Sequence, residues 1–420
     1  MLETGGIGDA DAGGWFARCY GREPEGIWFA PGRVNLLGGP DYNEVFVLPF
    51  ALGAGVYAAA SRRSDGRIAL ASRQADGDPV LVSIGTLAPG TVGGWAAYPA
   101  GAAWALREAG HLAGGADVAI DADLPVGAGL SSSAALGCAV ALALTGLYGL
   151  HVPGRELAAL ARRGENDFAG VPTGIMDQLA ALLCRAGHAL LIDCRTGGGT
   201  AIPLRPADDG LALLIIDTRV RHTLADGRYA ARRRACADAA AMLGVRSLRD
   251  VTDDGGALAR LAGQAGQAGP SGQPDGRAGP DGRTRPGGRT GQAEDAGQVL
   301  QRTVRHVIAE NRRVLAAAEL LRAGDQAGIG PLLTASHRSL RDQFEVSWPQ
   351  ADAAVEAAIG AGAAGARMTG GGFGGSVIAL APAGRAAHIR RAVAERFAQQ
   401  GWQAPRYLDA APSGGAHRIR

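Results

Sequence analysis

A mixed α+β fold is what the sequence predicts, and three observations carry that prediction. Short runs rich in β-branched or aromatic residues at 26–29, 46–48, 67–71, 116–120, 189–193 and 211–217 read as strands. Helix-like runs lie at 95–109, 134–150, 155–163, 228–243, 304–323, 331–340 and 385–400. The two kinds alternate without a regular strand–helix–strand repeat, which favours α+β over a doubly wound parallel sheet. With 420 residues and 47% hydrophobic content, the chain can fill two domains or one large one.

Taken in order, some elements need individual justification. The run at 134–150 carries no charge, yet it is rich in Ala and Gly, holds Thr145 and follows a polar serine turn. It sits at the short end of the membrane-spanning range, so a buried helix is expected. Residues 263–297 contain almost nothing apolar larger than alanine. Such a segment cannot bury enough surface to offset its ordering entropy, and a solvated surface insertion is expected. A strand-like 377–380 closes a glycine-rich stretch.

Charge excludes several chemistries. The 42 cationic residues balance 40 acidic ones, and every one of the 42 is arginine. Without lysine there is no Walker A phosphate loop, no Schiff-base aldolase or pyridoxal-phosphate enzyme, and no protein-kinase strand lysine. The near-zero balance gives no reason to expect nucleic acid or a membrane as partner. Cys19, Cys138, Cys184, Cys194 and Cys236 are scattered without metal-site spacing and read as free thiols of a reducing, cytoplasmic interior. The opening MLETGGIGDADAGG is acidic and unlike a signal peptide.

Four segments can carry chemistry. In LPVGAGLSSSAA at 124–135, small residues precede the uncharged helix, whose free N–H groups and dipole suit a phosphate. A serine-capped turn would look the same locally. In ENDFAGVPTGIMDQ at 165–178, Gly174 and Pro172 break the chain before Asp177, twelve residues after Glu165. Two such carboxylates can divide the holding of a metal and the handling of a proton, although Asp177 alone reads as a helix cap. In APGRVNLLGGPDYN at 30–43, Arg33 stands between a turn and an apolar pair, placed to hold a phosphate or a carboxylate. In MTGGGFGGS at 368–376, the glycines imply tight backbone approach or a flexible hinge.

Order and wording together are more specific than any one segment. APGRVNLLG with DYN and VLP, GAGLSSSAA, ENDFAGVPTGIMDQ, DTRVRHTLADGRYAARRRAC and ARMTGGGFGGSVIAL resemble the motifs of the GHMP small-molecule kinases, and among them the galactokinases. The resemblance runs from about residue 15 to 419, apart from the insertion. It implies a two-domain GHMP kinase fold, divided into 1–205 and 206–420, with the active site in the cleft between domains. The implied activity is an ATP-dependent sugar-1-kinase, most simply a galactokinase, with ATP and Mg²⁺ as cofactors and a monomeric state.

The resemblance also assigns residues. Gly127, Gly129, Leu130, Ser131, Ser132, Ser133 and Ala134 wrap the ATP phosphates, while Ser133 and Glu165 hold Mg²⁺. Asp177 faces the acceptor hydroxyl, with Arg33 beside it favouring its charged form. Asp41, Gly174 and Tyr229 match sugar contacts. Ser72, Trp95 and Tyr98 match the adenine pocket, though Trp95 and Tyr98 also read as core residues of a helix. Arg232, Arg233, Arg234 and His222 receive no role.

One departure bears on the substrate. Where the family signature reads G-E-H-T-D-Y-N, this chain has Gly38-Gly39-Pro40-Asp41-Tyr42-Asn43, one residue shorter. The missing Glu and His are the family's contacts at the C6 hydroxyl, and losing a charged partner costs roughly 1.5–3 kcal/mol. Altered C6 recognition is the resulting alternative, with L-arabinose or a C6-modified galactose as acceptor. A remoter alternative is a catalytically silent sugar and ATP sensor, which loss of Ser133, Glu165 or Asp177 would favour; all three are present.

Overall fold

A computed structural model describes residues 9–39, 41–111, 114–125, 127–221, 227–265 and 296–420. The insertion expected at 263–297 falls almost wholly outside these residues, as do Pro40 and His222. The first half comprises α1 (Asp9–Tyr20), β1 (Gly26–Gly38), β2 (Phe46–Arg63), β3 (Arg67–Ser72), β4 (Val80–Ser83), α2 (Ala97–Glu108) and β5 (Gly115–Ala122). It continues through α3 (Ser132–Leu147), α4 (Gly154–Arg163), α5 (Met176–Leu183), β6 (His188–Asp193) and β7 (Gly198–Pro203). The second half comprises β8 (Leu211–Asp217), α6 (Arg228–Leu243), α7 (Asp254–Ala265), α8 (Ala296–Arg322), α9 (Ile329–Asp342) and α10 (Pro349–Gly360). It ends with β9 (Gly365–Thr369), β10 (Ser376–Pro382), α11 (Ala386–Gln399), β11 (Arg406–Ala410) and β12 (His417–Arg418).

Two sheets result, as a mixed α+β chain requires. The larger runs β12-β1-β2-β5-β3-β4, with β6 and β7 joined through the start of β2; the smaller, antiparallel sheet runs β11-β8-β10-β9. Residue 205 lies in the stretch joining them, and the chain returns at the end to pair Trp28 with Arg418. Strand β1 continues well past the short run expected at 26–29. Pro31 and Gly32 do not end it because the register against β2 shifts there, and a bulge tolerates a residue without an N–H.

Side-chain alternation explains how the small sheet is buried on both faces. Leu213 and Ile215 of β8, with Ile378 and Leu380 of β10, enter the core shared with β1, β2 and α3. Their neighbours Leu214, Ile216, Val377 and Ala379 enter a second core with α10 and α11. Burial on both faces is why these strands read as continuous apolar runs. Helix α3 is buried against β1, β2 and α2, as its uncharged sequence requires. No helix among the described residues is long and apolar enough to cross a membrane. All five cysteines are free.

A charged cluster lies inside this packing, where α8, α9, β9 and the end of β1 meet. Glu310 and Arg367 are each 1% exposed. Glu310 Oε1 accepts hydrogen bonds from Ser336 Oγ at 2.6 Å, Gly38 N at 3.1 Å and Arg367 Nη1 at 3.5 Å; Oε2 accepts one from Arg313 Nε at 2.7 Å. Arg367 also donates to the carbonyls of Leu36, Gly38 and Met368. Breaking such a buried pair by removing one partner typically costs about 3–5 kcal/mol. Burial alone would raise the Glu310 carboxyl, but Arg367, His306 and Arg313 hold it down at about 2. His306 is pushed down to about 4, first by burial and then by Arg313 and Arg367, against the opposing pull of Glu310.

Acid should therefore unfold the protein in two stages. His306 is neutral when folded but protonates near 6.5 when unfolded, so stability is lost as pH falls from about 6.5 towards 4. Glu310 stabilises fully above its unfolded value of 4.5, and that contribution disappears as pH falls towards about 2. In urea midpoints measured against pH, His306→Phe should remove the first stage and Glu310→Gln the second. A parent-minus-variant difference that stays constant across its pH window would refute the corresponding assignment.

Candidate active site

Between the two sheets opens a cavity of about 370 Å³. Arg33, Asp41, Gly127, Gly129, Leu130, Ser131, Ser132, Ser133, Glu165, Gly174, Asp177 and Tyr229 all border it. Most of the residues that the sequence singled out therefore converge on one place. Ala134 is buried one residue further along α3. Ser72 and Trp95 are not among the bordering residues: Ser72 ends β3, and Trp95 packs on the core just before α2. Tyr98, one turn further on, does border the cavity.

Its centre is an ion pair. Arg33 projects from β1 and donates through Nε to Asp177 Oδ1 at 2.8 Å and through Nη2 to Asp177 Oδ2 at 2.9 Å. Its third nitrogen, Nη1, donates to the Gly129 carbonyl at 2.9 Å, and its backbone N–H to the Leu130 carbonyl at 3.1 Å. A planar fork makes this bidentate grip, which a lysine could not reproduce. Ser131 Oγ donates a further hydrogen bond to Asp177 Oδ2. Ser131 is left-handed, at φ 63°, a conformation that costs a non-glycine residue about 1 kcal/mol and marks a constrained position. Immediately after it α3 begins, so the helix N-terminus and its free N–H groups face the cavity.

Glu165 lies on a single π-turn, 164–168, that continues α4. Such turns recur at functional sites because they push one side chain out of helical register. Gly101 of α2 and Gly164 meet backbone to backbone: a Cβ on Gly164 would come within 2.4 Å of the Gly101 carbonyl carbon, so this turn is pressed against α2. Burial pushes the Glu165 carboxyl up to about 7, opposed by hydrogen bonds from Ser133 and from Gln178. Gln178 Nε2 donates to Glu165 Oε2 at 2.8 Å, while Gln178 Oε1 is buried without a partner.

Asp41 forms the next wall. Its carboxyl is raised by burial and then by the nearby charge of Asp177, while a hydrogen bond from the Met176 N–H at 3.1 Å opposes the rise. A Cβ on Gly174 would lie 1.7 Å from Asp41 Oδ2, so the carboxylate occupies the space where any other residue would carry its side chain. Tyr229 of α6 meets Tyr42 edge to face, with centroids 5.7 Å apart. An anion-binding helix end, a buried hydroxyl–carboxylate pair and an arginine-held carboxylate, all facing one cavity, are the parts of a phosphoryl-transfer site.

Comparison with known proteins agrees with this geometry. The family models for the GHMP kinase N-terminal domain, the GHMP kinase C-terminal domain and the galactokinase galactose-binding signature match residues 97–185, 317–399 and 15–62. A galactokinase of Streptomyces coelicolor is 46% identical, over 96% of this chain and 97% of its own length. The chain belongs to the galactokinase family. A second galactokinase, from Mycobacterium tuberculosis, is 42% identical over 93% of this chain and 98% of its own length. Among solved structures, Lactococcus lactis galactokinase complexed with galactose matches at a TM-score of 0.84 and 27% identity, covering 98% of this chain and 99% of that one. A mevalonate kinase at 16% identity and TM-score 0.58 shares the fold. As a galactokinase-family protein, the chain is a sugar kinase.

The galactokinase-type cavity also has walls that the sequence left without a role. Leu340, Phe344, Val346 and Arg367 border it from the second half. Phe344 and Val346 flank Glu345, which is left-handed at φ 56° and paired with Arg232 of α6 at 2.6 Å and Arg302 of α8 at 2.9 Å. Nothing in a segment such as FEVSW marks it as a wall, because its role depends on contacts with helices distant in sequence. The arginines that received no role thus include structural partners: Arg232 in this pair, and Arg233, whose guanidinium lies over the Tyr42 ring at 5.7 Å.

Gly174→Ala should force Asp41 out of its position. The expected result is a rise of about tenfold or more in the sugar KM, with the ATP KM within about twofold of the parent. An unchanged sugar KM would show that Asp41 does not depend on the empty space at position 174.

Proposed function

We infer that the chain is an ATP-dependent galactose kinase, converting D-galactose and ATP to α-D-galactose 1-phosphate and ADP. The observation that carries the reading is the Arg33–Asp177 ion pair at the centre of a cavity bordered by Asp41 and Gly174 on one side and the 127–133 loop on another. A carboxylate offers about four acceptor positions. Arg33 and Ser131 fill three of those on Asp177, leaving one for the hydroxyl to be phosphorylated. Asp177 thus orients that hydroxyl and receives its proton, while the guanidinium stabilises the charge.

The phosphates of ATP are held by backbone N–H groups of the loop and the α3 N-terminus together with the serine hydroxyls, which is how a chain without lysine binds them. Mg²⁺ fits the donors present. Ser133 and Glu165 are hydrogen-bonded to each other, both border the cavity, and Gln178 Oε1 beside them is unsatisfied. Among the described residues no cluster of three or more His, Cys, Asp or Glu could hold a metal by itself. One carboxylate and one hydroxyl completed by phosphate oxygens and water is the usual magnesium arrangement beside a nucleotide. When bound, the ion neutralises charge on the phosphate oxygens. Five free thiols support a reducing compartment such as the cytoplasm.

A coupled ADP-release assay with Mg-ATP and galactose tests the activity. Asp177→Asn keeps the shape but removes the proton acceptor, so kcat should fall by about 10²–10⁴-fold with ATP binding retained. Turnover within threefold of the parent would remove Asp177 from this role.

A further inference from the structure

A strained residue stands just outside the cavity and has no part in the activity described above. Glu345 lies between α9 and α10 with its backbone left-handed at φ 56°, a region that a residue with a long side chain rarely enters. Such a conformation persists only where the surroundings impose it. Here each carboxylate oxygen is held from a different helix: Oε2 accepts from Arg232 Nη2 of α6, and Oε1 from Arg302 Nη2 of α8. The three side chains are 32%, 21% and 19% exposed, and partly exposed ion pairs add little net stability. Stability therefore does not account for the arrangement. What it fixes is position.

The parts it fixes stand beside the acceptor. Phe344 and Val346, on either side of Glu345, are buried and border the cavity, whereas the Glu345 carboxylate is turned to the two helices. Phe344 stacks on the His306 ring with centroids 4.6 Å apart, and a Cβ on Gly39 would lie 3.6 Å from His306 Nε2, so Phe344 is close to the segment that leads into Asp41. Tyr229, one turn before Arg232 on α6, borders the cavity and meets Tyr42, the neighbour of Asp41. Both elements that Glu345 joins thus lie near Asp41, on the side of the cavity that the galactose-kinase reading gives to the sugar. The glycine loop holds the same segment from elsewhere: the Val346 carbonyl accepts the Phe373 N–H at 2.8 Å, and a Cβ on Gly372 would lie 2.5 Å from that carbonyl oxygen.

We propose that Glu345 is a positioning residue for the acceptor: its two arginine pairs lock the Phe344–Val346 wall to α6 and α8, so that this wall and Tyr229 keep one shape around the sugar. Glu345 itself touches no substrate and acts through these neighbours. The inference rests on the galactose-kinase reading and adds a residue outside the cavity to those that set its sugar affinity.

Steady-state constants for galactose and for ATP test it in the parent, Glu345→Gln, Glu345→Asn, Arg232→Gln and the double variant Glu345→Gln with Arg232→Gln. In Glu345→Gln the galactose KM should rise about tenfold, with kcat within about threefold and the ATP KM within about twofold of the parent. Glu345→Asn, which tolerates the left-handed backbone but carries no charge, should behave in the same way. Arg232→Gln breaks one of the two pairs and should raise the galactose KM about threefold. The double variant should be no worse than Glu345→Gln, because the two substitutions remove a shared interaction. The proposal is overturned by a galactose KM in Glu345→Gln within about twofold of the parent, by galactose and ATP KM values that rise together, by a parent-like Glu345→Asn, or by single effects that multiply in the double variant. Should neither Glu345 variant fold, Arg232→Gln decides alone, and an unchanged galactose KM overturns the proposal. A parent that releases no ADP with galactose overturns the activity reading and this inference with it, a result distinct from an active parent whose KM does not move.

Discussion

Arg33 is the fixed point of this molecule. One guanidinium, presented from a central strand and 5% exposed, satisfies Asp177 of α5 with two nitrogens and the carbonyl of Gly129 in the 127–133 loop with the third. Asp177 is 144 residues away in sequence, so the ion pair closes a long loop and gains its value only once both halves of the first sheet's packing are complete. Strand β1, the 127–133 loop and α5 each have their own hydrophobic reasons to be where they are. Their relative position to within a hydrogen bond's tolerance is set by this fork, and catalysis by positioning depends on that tolerance.

The second half is attached to this centre by polar contacts buried among apolar ones. Thr369 Oγ1 exchanges hydrogen bonds with the backbone of Asn35, Ser376 Oγ donates to the Ala128 carbonyl, and Glu310 receives the N–H of Gly38. On the far side, Glu345 ties α6 to α8, and the Val346 carbonyl accepts the N–H of Phe373 in the glycine loop. The walls that the two halves give the cavity are therefore parts of one network. Polar contacts of this kind add little net stability, but they specify a single arrangement because each misplacement leaves a buried group unpaired.

Much of the fold was legible because local chemistry coincided with the final burial. Helix α6 begins and ends where its sequence indicates, at Arg228 and Leu243, the latter before a glycine in the left-handed conformation. Strand β2 was recognisable only at 46–48, since the continuation through Gly53, Gly55 and Ala58–Ala60 lacks alternation: Ala58 and Ala60 face the core with α3, Ala59 faces the cluster with α1, and the Ala30 carbonyl and Phe29 ring of β1 fill the space beside Gly55. Strand β4 is apolar but only four residues long, β7, β11 and β12 are short and weakly apolar, and the two-residue β12 exists only because β1 offers it an edge. For the site, glycine and serine motifs carried the signal, as their backbone constraints are written into residue type. His306 and Glu310 were illegible: at i and i+4 on an amphipathic helix, nothing distinguishes a buried charge cluster from an exposed one until α9 and β9 cover it.

Pairing of β12 with β1 has a consequence for the birth of the protein. Trp28 and Phe29 lie opposite Arg418 and His417, so this part of the β1 edge stays bare from early in translation until residues 417 and 418 have been made. Helix α3 and strands β2 and β5 can assemble on the nascent β1 long before then, leaving a folded core with an open flank. Such an edge recruits other strands when it is left waiting. Until β12 is in place, residues 28 and 29 therefore offer unpaired backbone groups that the folded chain covers.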